Sequence, residues 1–122
     1  MKTEDLAREI ISKLTDEGRT LATAESCTGG LLGKLLTDVP GASNAYKGGV
    51  ISYVNEVKHR LLGVEQETLD ICTAVSRETA HEMAKGAREA VKADVGVSTT
   101  GLAGPDGDGT GRPVGLVYIA LD

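Results

Sequence analysis

The stretch Thr20–Leu36 has the sequence TLATAESCTGGLLGKLL, which predicts a strand followed directly by a helix. Thr20–Ala24 contains no breaker and is typical of a short buried strand, whereas the leucines of Leu31–Leu36 recur at helical spacing. The turn between them supplies six residues: Glu25, Ser26, Cys27, Thr28, Gly29 and Gly30. Free backbone N–H groups and the positive end of a helix dipole are expected there. Such a junction suits an anion, or a nucleophile whose reaction develops negative charge.

A purely structural interpretation of this turn stays open. Thr28 would then serve only as the N-cap of the helix, and the two glycines would only allow the strand and the helix to approach closely. Glycine-rich turns of this kind are common in nucleotide-binding folds that catalyse nothing at the turn. The remainder of the chain has to discriminate between the two interpretations.

Composition predicts one globular domain, residues 1–122, that is 40% hydrophobic and 25% charged. The net charge of −5 and the scattered basic residues argue against a nucleic-acid partner. No apolar run reaches the roughly 20 residues that span a bilayer, and the charged N-terminus does not resemble a signal peptide. Two cysteines far apart, Cys27 and Cys72, are typical of a cytoplasmic protein with reduced thiols.

Helical and strand patterns alternate along the rest of the chain. Three helices are predicted from apolar spacing and capping residues: Glu4–Asp16, Glu56–Leu62 and Ser76–Ala93. Thr3, Asn55 and Ser76 are their expected N-caps. Three strands are predicted from apolar and β-branched runs: Tyr46–Val54, Asp94–Thr100 and Val114–Leu121. Glu65–Thr73 is expected to form a short helical turn that leads into an irregular segment. The alternation predicts a layered α/β domain.

The last predicted strand, Val114–Leu121, is apolar and ends next to Asp122. A bare apolar edge strand tends to find a partner. We expect this strand to lie inside the sheet, to be covered by another chain, or to belong to a sequence shortened at its C-terminus. Because the strand is apolar and terminal, self-association into a homo-oligomer is predicted.

A serine nucleophile at Ser26 needs a base, because a free hydroxyl is weakly reactive. His59 and His81 lie on predicted helices, and neither has a neighbouring residue placed to form a relay. Lys58, at a strand-to-helix turn, is the other candidate. Its pKa would have to fall by about 3 units from about 10.4, equivalent to about 4 kcal/mol, through burial or a nearby cation. The structural alternative is a solvated lysine on a helix.

Cys27 is an alternative nucleophile, because the start of a helix would lower its pKa. It is equally explained as a small core residue. The loop from Asp106 to Gly111 resembles the start of a calcium-binding loop, but Val117 stands where the acidic twelfth ligand is required. Zinc, dinucleotide and P-loop motifs are absent from the sequence. We expect neither a metal nor a cofactor.

Four segments closely resemble the C-terminal domain family of competence/damage-inducible protein CinA, which includes stand-alone nicotinamide mononucleotide deamidases. They are TAESCTGG (Thr23–Gly30), YKGGVISYVNEVKHRLLGV (Tyr46–Val64), AVSRETAHEMAKGAR (Ala74–Arg88) and STTGLAGPDGDGTGRPVGLVYIAL (Ser98–Leu121). The segments follow the family's order and span nearly the whole chain. The resemblance implies a three-layer α/β/α sandwich with a mixed, largely parallel sheet. It also implies hydrolysis of the carboxamide of nicotinamide mononucleotide to nicotinic acid mononucleotide and ammonia.

The same resemblance implies the roles of particular residues. Ser26 matches the family's serine nucleophile and Lys58 its lysine base. Tyr53 and Thr100 match its active-site tyrosine and threonine. Seven further residues are expected to contact the substrate: Cys27, Thr28, Gly29, Gly30, Tyr46, Gly101 and Gly104. Backbone N–H groups around Cys27 and Thr28 are expected to hold the oxyanion.

Members of this family normally continue past the position of Asp122 with a further strand and helix, which carry an arginine that helps bind the substrate phosphate. We therefore expect the chain to be shortened at its C-terminus. The alternative function is a non-catalytic nucleotide-binding module, or an inactive fragment of such an enzyme. In either case the expected partner is a small nucleotide rather than a nucleic acid or a membrane.

Overall fold

The computed structural model describes all residues, 1–122. Five helices are present: α1 (Thr3–Glu17), α2 (Leu31–Thr37), α3 (Asn55–Leu62), α4 (Gln66–Cys72) and α5 (Arg77–Val91). Four strands form the sheet: β1 (Leu21–Glu25), β2 (Tyr46–Ile51), β3 (Val95–Gly101) and β4 (Val117–Leu121). A single 3-10 turn, Ala42–Asn44, precedes β2. None of the helices has the length and apolar character needed to cross a lipid bilayer.

The sheet has the strand order β2-β1-β3-β4. Strand β1 pairs in parallel with β2 and with β3, and β4 runs antiparallel to β3. The prediction of a mixed, largely parallel sheet is therefore confirmed. Because β1, β2 and β3 run in the same direction, their carboxyl ends meet at one edge, which is where open α/β sheets bind ligands.

Side chains on the central strand alternate between two apolar cores, one on each face of the sheet. Leu21 packs with residues of α1 and α2, including Ile11 and Leu36. Ala22 and Ala24 point the other way, into a core that α3, α4 and α5 complete. Since a layer of helices covers each face, the predicted three-layer α/β/α sandwich is confirmed.

Helix α5 lies close to the sheet because its inner face is built from small residues, as its sequence predicts. A Cβ atom on Gly96 of β3 would collide with the carbonyl oxygen of Ala84 in α5. The helix also begins as predicted, since the backbone N–H of Thr79 donates to the hydroxyl of the N-cap residue Ser76 at 3.1 Å. This helix therefore sets the spacing of the layer that carries α3.

Several predicted boundaries are wrong by a few residues. Thr3 and Asn55 are the first residues of their helices rather than N-caps, and the true N-caps form no side-chain bond. Strand β2 ends at Ile51, three residues before the predicted Val54. The last bond that joins this strand to β1 runs from the backbone N–H of Ser52 to the carbonyl of Glu25 at 2.7 Å, and the chain then leaves the sheet toward α3. Residues 66–72 form the regular helix α4, where a shorter helical turn was predicted.

Strand β4 lies at one edge of the sheet and is shorter than predicted. The segment before it is irregular because Gly115 adopts a positive φ of 97°. Ile119 and Leu121 are 72% and 70% exposed, on the face opposite α5. The edge position agrees with the expectation of a bare apolar strand, and self-association through this strand stays a prediction.

Replacing Gly86 in α5 by alanine is expected to lower the free energy of unfolding by about 2 kcal/mol or more, measured by urea denaturation. A Cβ atom at this position would overlap the backbone carbonyl of Leu62 at the end of α3. Alanine normally stabilises a helix interior relative to glycine by about 1 kcal/mol, so the overlap decides the sign. Gly107→Ala, in a loop with open space around its Cα, is the matched control. Equal stability of both variants would contradict the close contact between α3 and α5.

Candidate active site

Ser26 follows directly after β1, at the carboxyl edge of the sheet. Alternation along the strand directs Glu25 toward α2, and directs Ser26 to the opposite face, where α3 lies. The backbone of Ser26 is fixed on both sides. Its N–H donates to the carbonyl of Thr99 at 3.0 Å, and its own carbonyl accepts from the N–H of Gly29 at 3.1 Å. The hydroxyl is therefore held in one place, on the side of the sheet opposite the helix that the turn introduces.

Lys58 projects from the first turn of α3, and only 1% of its surface is exposed. Its Nζ lies 3.0 Å from the Oγ of Ser26, 2.7 Å from the carbonyl oxygen of Ser52 and 3.2 Å from that of Tyr53. A neutral amine carries two hydrogens and one lone pair. The two carbonyls accept the two hydrogens, which leaves the lone pair for the hydroxyl of Ser26. The arrangement suits a base that accepts the serine proton.

Burial lowers the pKa of the Lys58 ammonium to about 8. Its three hydrogen-bond partners are a hydroxyl and two carbonyls, so no carboxylate contacts the amine to restore its proton. At pH 7 about one tenth of the molecules then carry a neutral amine. A lysine base needs a pKa well below the usual range of lysine. Burial of Lys58 lowers its pKa in that direction without a neighbouring cation.

A cleft of about 480 Å³ opens in front of this pair, within the usual size of small-molecule sites. Its walls come from α3, from the segment before α5 and from the glycine-rich loop after β3. The lining residues are Ser26, Cys27, Tyr53, Val54, Asn55, Lys58, Ala74, Val75, Thr100, Gly101, Leu102, Ala103, Gly104, Asp106 and Asp108. The carboxylates on the loop give the cleft a negative rim. No three His, Cys, Asp or Glu side chains converge to hold a metal ion anywhere in the structure.

Besides the Ser26–Lys58 pair, the cleft brings together five of the nine other residues that the sequence predicts for the site. Tyr53, Thr100, Cys27, Gly101 and Gly104 all line it. The side chain of Tyr53 is 74% exposed at the rim, so it is free to contact a bound molecule. The hydroxyl of Thr100 donates to the carbonyl of Ala74 at 2.7 Å, and this bond ties the segment before α5 to β3.

Four predicted substrate-binding residues lie outside the cleft. Gly30 rather than Thr28 is the N-cap of α2, with a left-handed φ of 108°. Gly29 also has a positive φ, of 59°, so both glycines serve the turn itself. Tyr46 lies at the start of β2, where its hydroxyl is 2.6 Å from the Oγ1 of Thr23. The side chain of Tyr46 and the two glycines shape the core and the turn, and none of the four residues lines the cleft.

Glu25 is the reason that the start of α2 is closed to a ligand. Its side chain is 2% exposed, and its carboxylate accepts hydrogen bonds from the backbone N–H groups of Gly30, Leu32 and Gly33. The donors that were predicted to hold an anion are therefore already occupied by this residue. An acidic residue between a buried strand and a helix start is a signal for such a cap, because carboxylates are favoured at helix N-termini.

Cys27 lines the cleft, but its chemistry differs from the prediction. Burial raises the pKa of the thiol, and the backbone hydrogen bond of Cys27 and the nearby Lys58 offset only part of this rise. Helix α2 begins four residues later, so the expected lowering by a helix start is wrong. The backbone N–H groups of Cys27 and Thr28 donate to no backbone carbonyl, and Cys27 lines the cleft beside Ser26.

Neither histidine belongs to the site. Nδ1 of His59 lies 2.7 Å from the carbonyl oxygen of Val64, and His81 lies near Asp122 at the far side of α5. Ser52 is a site residue that the sequence analysis missed, because its contribution is a backbone carbonyl at the end of β2. Backbone groups carry no signature in the residue type, so the position of this acceptor follows only from the fold.

Fold and site together define a three-layer α/β domain with a buried serine–lysine pair at the carboxyl edge of its sheet. Residues 3–122 match the family model described as the CinA C-terminal domain, and the chain belongs to this family. The Agrobacterium tumefaciens competence/damage inducible protein CihA is a similar solved structure, with 46% identity and a TM-score of 0.94 over 98% of this chain and 72% of that chain. Competence damage-inducible protein A (ComA) of Klebsiella pneumoniae subsp. pneumoniae MGH 78578 has 36% identity and a TM-score of 0.97, over 100% of this chain and 76% of that chain.

Sequence relatives are longer than this chain. A protein of Caldanaerobacter subterraneus subsp. tengcongensis, whose name describes it as competence-damage inducible, is 55% identical over 118 residues, which make up 97% of this chain and 29% of that protein. A CinA-like protein of Leptospira borgpetersenii serovar Hardjo-bovis (strain L550) is 51% identical over 119 residues, covering 98% of this chain and 28% of that protein. The chain thus spans less than a third of the length of these relatives.

Replacing Lys58 by methionine is expected to raise the free energy of unfolding at pH 7. The pKa of Lys58 is lowered to about 8 in the folded protein, so the protonated amine is less stable there than in the unfolded chain. At pH 7 this difference lowers the free energy of unfolding. The full shift corresponds to about 3 kcal/mol before screening by water in the open cleft. The carbonyls of Ser52 and Tyr53 lose their donor in the variant, which costs about 2 kcal/mol, so the expected net gain is at most about 1 kcal/mol. Urea denaturation measures it, with exposed Lys85→Met as the control.

The pH dependence fixes the sign of this effect. Between pH 8 and about 10 the unfolded chain binds more protons at this position than the folded chain, so the stability of the unsubstituted protein rises with pH. The advantage of Lys58→Met should therefore shrink across this window. If Lys58→Met is less stable than the parent at pH 7 and Lys85→Met is unchanged, the prediction that burial of the Lys58 amine lowers the free energy of unfolding is wrong.

Proposed function

We propose that this chain is an amidase that hydrolyses the carboxamide of nicotinamide mononucleotide to nicotinic acid mononucleotide and ammonia. The observation that carries the proposal is the 3.0 Å contact between Nζ of Lys58 and Oγ of Ser26 inside a cleft. An amide is a poor electrophile, so its hydrolysis needs an activated nucleophile, a site for the oxyanion and a proton for the departing nitrogen. The cleft offers a candidate group for each requirement.

In the first half of the reaction, Oγ of Ser26 attacks the carboxamide carbon while its proton moves to the neutral Nζ of Lys58. The carbonyl oxygen takes up negative charge, and the N–H groups of Cys27 and Thr28, which bind no backbone carbonyl, donate to it. Lys58 then returns the proton to the amide nitrogen as the C–N bond breaks. Ammonia leaves, and the acyl group remains on Ser26 as an ester.

The second half repeats these steps with water as the nucleophile. Lys58 accepts a proton from the water, which attacks the ester carbon, and then returns a proton to Oγ of Ser26 as the ester bond breaks. The net change is amide plus water to carboxylic acid plus ammonia. Since Nζ reaches Oγ directly, the hydroxyl of Tyr53 is not needed as a proton relay.

The identity of the substrate rests on the family resemblance, and the charges of the cleft support it. Nicotinamide in a mononucleotide is a positively charged pyridinium ring. Asp106 and Asp108 on the rim attract such a ring, and the exposed face of Tyr53 is suited to stack on it. Hydrogen bonds from the hydroxyl and backbone N–H of Thr110 lower the pKa of Asp108, which keeps this carboxylate negative.

Ser26→Ala is expected to abolish ammonia release from nicotinamide mononucleotide, with a loss of at least about 10³-fold in kcat. Ammonia is followed in a coupled assay with the purified chain. Cys27→Ala is the matched control, because the thiol beside the nucleophile has a raised pKa and is not expected to attack. Its side chain contributes no donor to the oxyanion, so this variant should keep at least about a third of the activity.

The outcomes of this assay separate three functions. Full activity in Ser26→Ala would remove the serine as nucleophile, and loss of activity only in Cys27→Ala would assign the reaction to the thiol. Calorimetric binding of the nucleotide with no ammonia released by the unsubstituted chain would favour the non-catalytic nucleotide-binding module.

The rate should rise with pH, because only the neutral form of Lys58 accepts the serine proton. With a pKa of about 8, kcat/KM is expected to increase about tenfold per unit below pH 7.5 and to level off above pH 8.5. Ammonia release measured from pH 6 to 9.5 tests this profile. Lys58→Arg, which keeps a permanent positive charge, should be inactive throughout. A rate that is flat over this range would exclude Lys58 as the base.

A further inference from the structure

Glu25 is the only buried carboxylate in the chain, and it immediately precedes the nucleophile. Its Oε1 accepts from the hydroxyl of Thr28 at 2.6 Å, and from the N–H groups of Gly30 at 3.1 Å and Leu32 at 2.9 Å. Its Oε2 accepts from the N–H of Gly33 at 2.8 Å. Four donors thus converge on one side chain, which joins the end of β1 to the beginning of α2.

These four bonds close the turn that follows β1. The turn contains Ser26 and the backbone N–H groups of Cys27 and Thr28. The hydroxyl of Thr28 also lies 2.8 Å from the Oγ1 of Thr99, so the turn is tied to the neighbouring strand as well. Without the carboxylate, the turn would keep the backbone bonds of Ser26, the bond from the N–H of Leu31 to the carbonyl of Thr28 at 3.0 Å and the Thr28–Thr99 contact. It would lose the four bonds that join it to the first turn of α2, so Glu25 restricts the direction of the N–H groups of Cys27 and Thr28.

We propose that Glu25 is a positioning residue for the amidase reaction, which fixes the N–H groups of Cys27 and Thr28 where they receive the developing oxyanion. This inference rests on the proposed function. Glu25 points away from the cleft and does not touch the reacting atoms. It acts through the turn, because hydrogen bonds to a buried carboxylate are strong and hold their donors in a narrow range of directions.

The close packing of α2 against the carboxylate indicates that Glu25 fixes the position of the turn as well as capping the helix. A serine or asparagine at the N-cap would satisfy helix donors. Here the cap is Gly30, and a longer side chain reaches over from the strand. The helix approaches so closely that a Cβ atom on Gly33 would lie 2.9 Å from the hydroxyl oxygen of Tyr46 and 3.4 Å from Oε2 of Glu25.

The test is the kinetics of Glu25→Gln with nicotinamide mononucleotide. The amide keeps the size of the side chain and can keep an oxygen toward three of the donors, but it turns an NH₂ group toward the N–H of Gly33. We expect kcat to fall about 10- to 100-fold while KM changes less than about threefold, because oxyanion contacts are made only in the transition state.

Glu82→Gln is the matched control. The carboxylate of Glu82 also accepts from a backbone N–H, that of Glu65 at 2.8 Å, and from the hydroxyl of Thr68 at 2.7 Å, but it lies outside the cleft. This variant should keep the kcat of the parent. A folded Glu25→Gln with the parent's kcat, or with a loss confined to KM, would overturn the positioning role.

A second readout does not depend on the substrate. A fluorophosphonate reagent forms a bond between phosphorus and Oγ of Ser26, the serine proton passes to Lys58 and fluoride leaves; mass spectrometry follows the adduct. Labelling should be about tenfold or more slower in Glu25→Gln than in the parent and in Glu82→Gln. If the parent is labelled but releases no ammonia, the deamidase proposal fails and the labelling rates still decide the role of Glu25.

If Glu25→Gln does not fold, the comparison of Thr28→Val with Thr99→Val decides the question, since the first variant removes the donor to the carboxylate together with the contact to Thr99 and the second removes only that contact. A decrease of about 3- to 10-fold in kcat or in the labelling rate of Thr28→Val relative to Thr99→Val supports the proposal, and equal rates overturn it. A parent that is neither labelled nor active would overturn this inference together with the proposed function.

Discussion

The site depends on a lysine amine that is buried without a counter-charge. Removing an ammonium from water is costly, and a carboxylate partner would offset that cost but would also hold the proton in place. The structure surrounds Nζ of Lys58 with two carbonyls and one hydroxyl instead. The carbonyls orient the amine and burial weakens its hold on the proton, so the fold itself supplies the base that the proposed reaction needs.

At the carboxyl end of β1, two neighbouring residues point their side chains to opposite faces of the sheet. Glu25 turns toward α2 and closes its N-terminus, while Ser26 turns toward α3 and meets Lys58. A shift of the strand by one residue would exchange these two side chains and destroy both arrangements. The parallel ladders with β2 and β3 on either side fix that register, which explains why the site lies at the centre of the sheet.

Much of this architecture was predictable from local patterns, because helix spacing, strand runs and the cap at Ser76 are encoded by neighbouring residues. Family motifs pointed to Ser26 and Lys58, and a lysine base requires burial that no local pattern reveals. Sequence reasoning failed where a contact is made across the fold. It read the glycines after Cys27 as ligand donors, since it had no means of seeing that the carboxylate of Glu25 fills the helix start.

That failure carries a physical consequence for how a nucleotide can bind. In dinucleotide-binding folds the helix after the first strand presents free N–H groups to a phosphate. Here a carboxylate from the chain occupies the same donors, and its negative charge repels a second anion. The loop side of the cleft is also acidic, through Asp106 and Asp108. Under the proposed function, a mononucleotide would therefore enter with its cationic ring toward Ser26 and its phosphate directed away from both α2 and this loop.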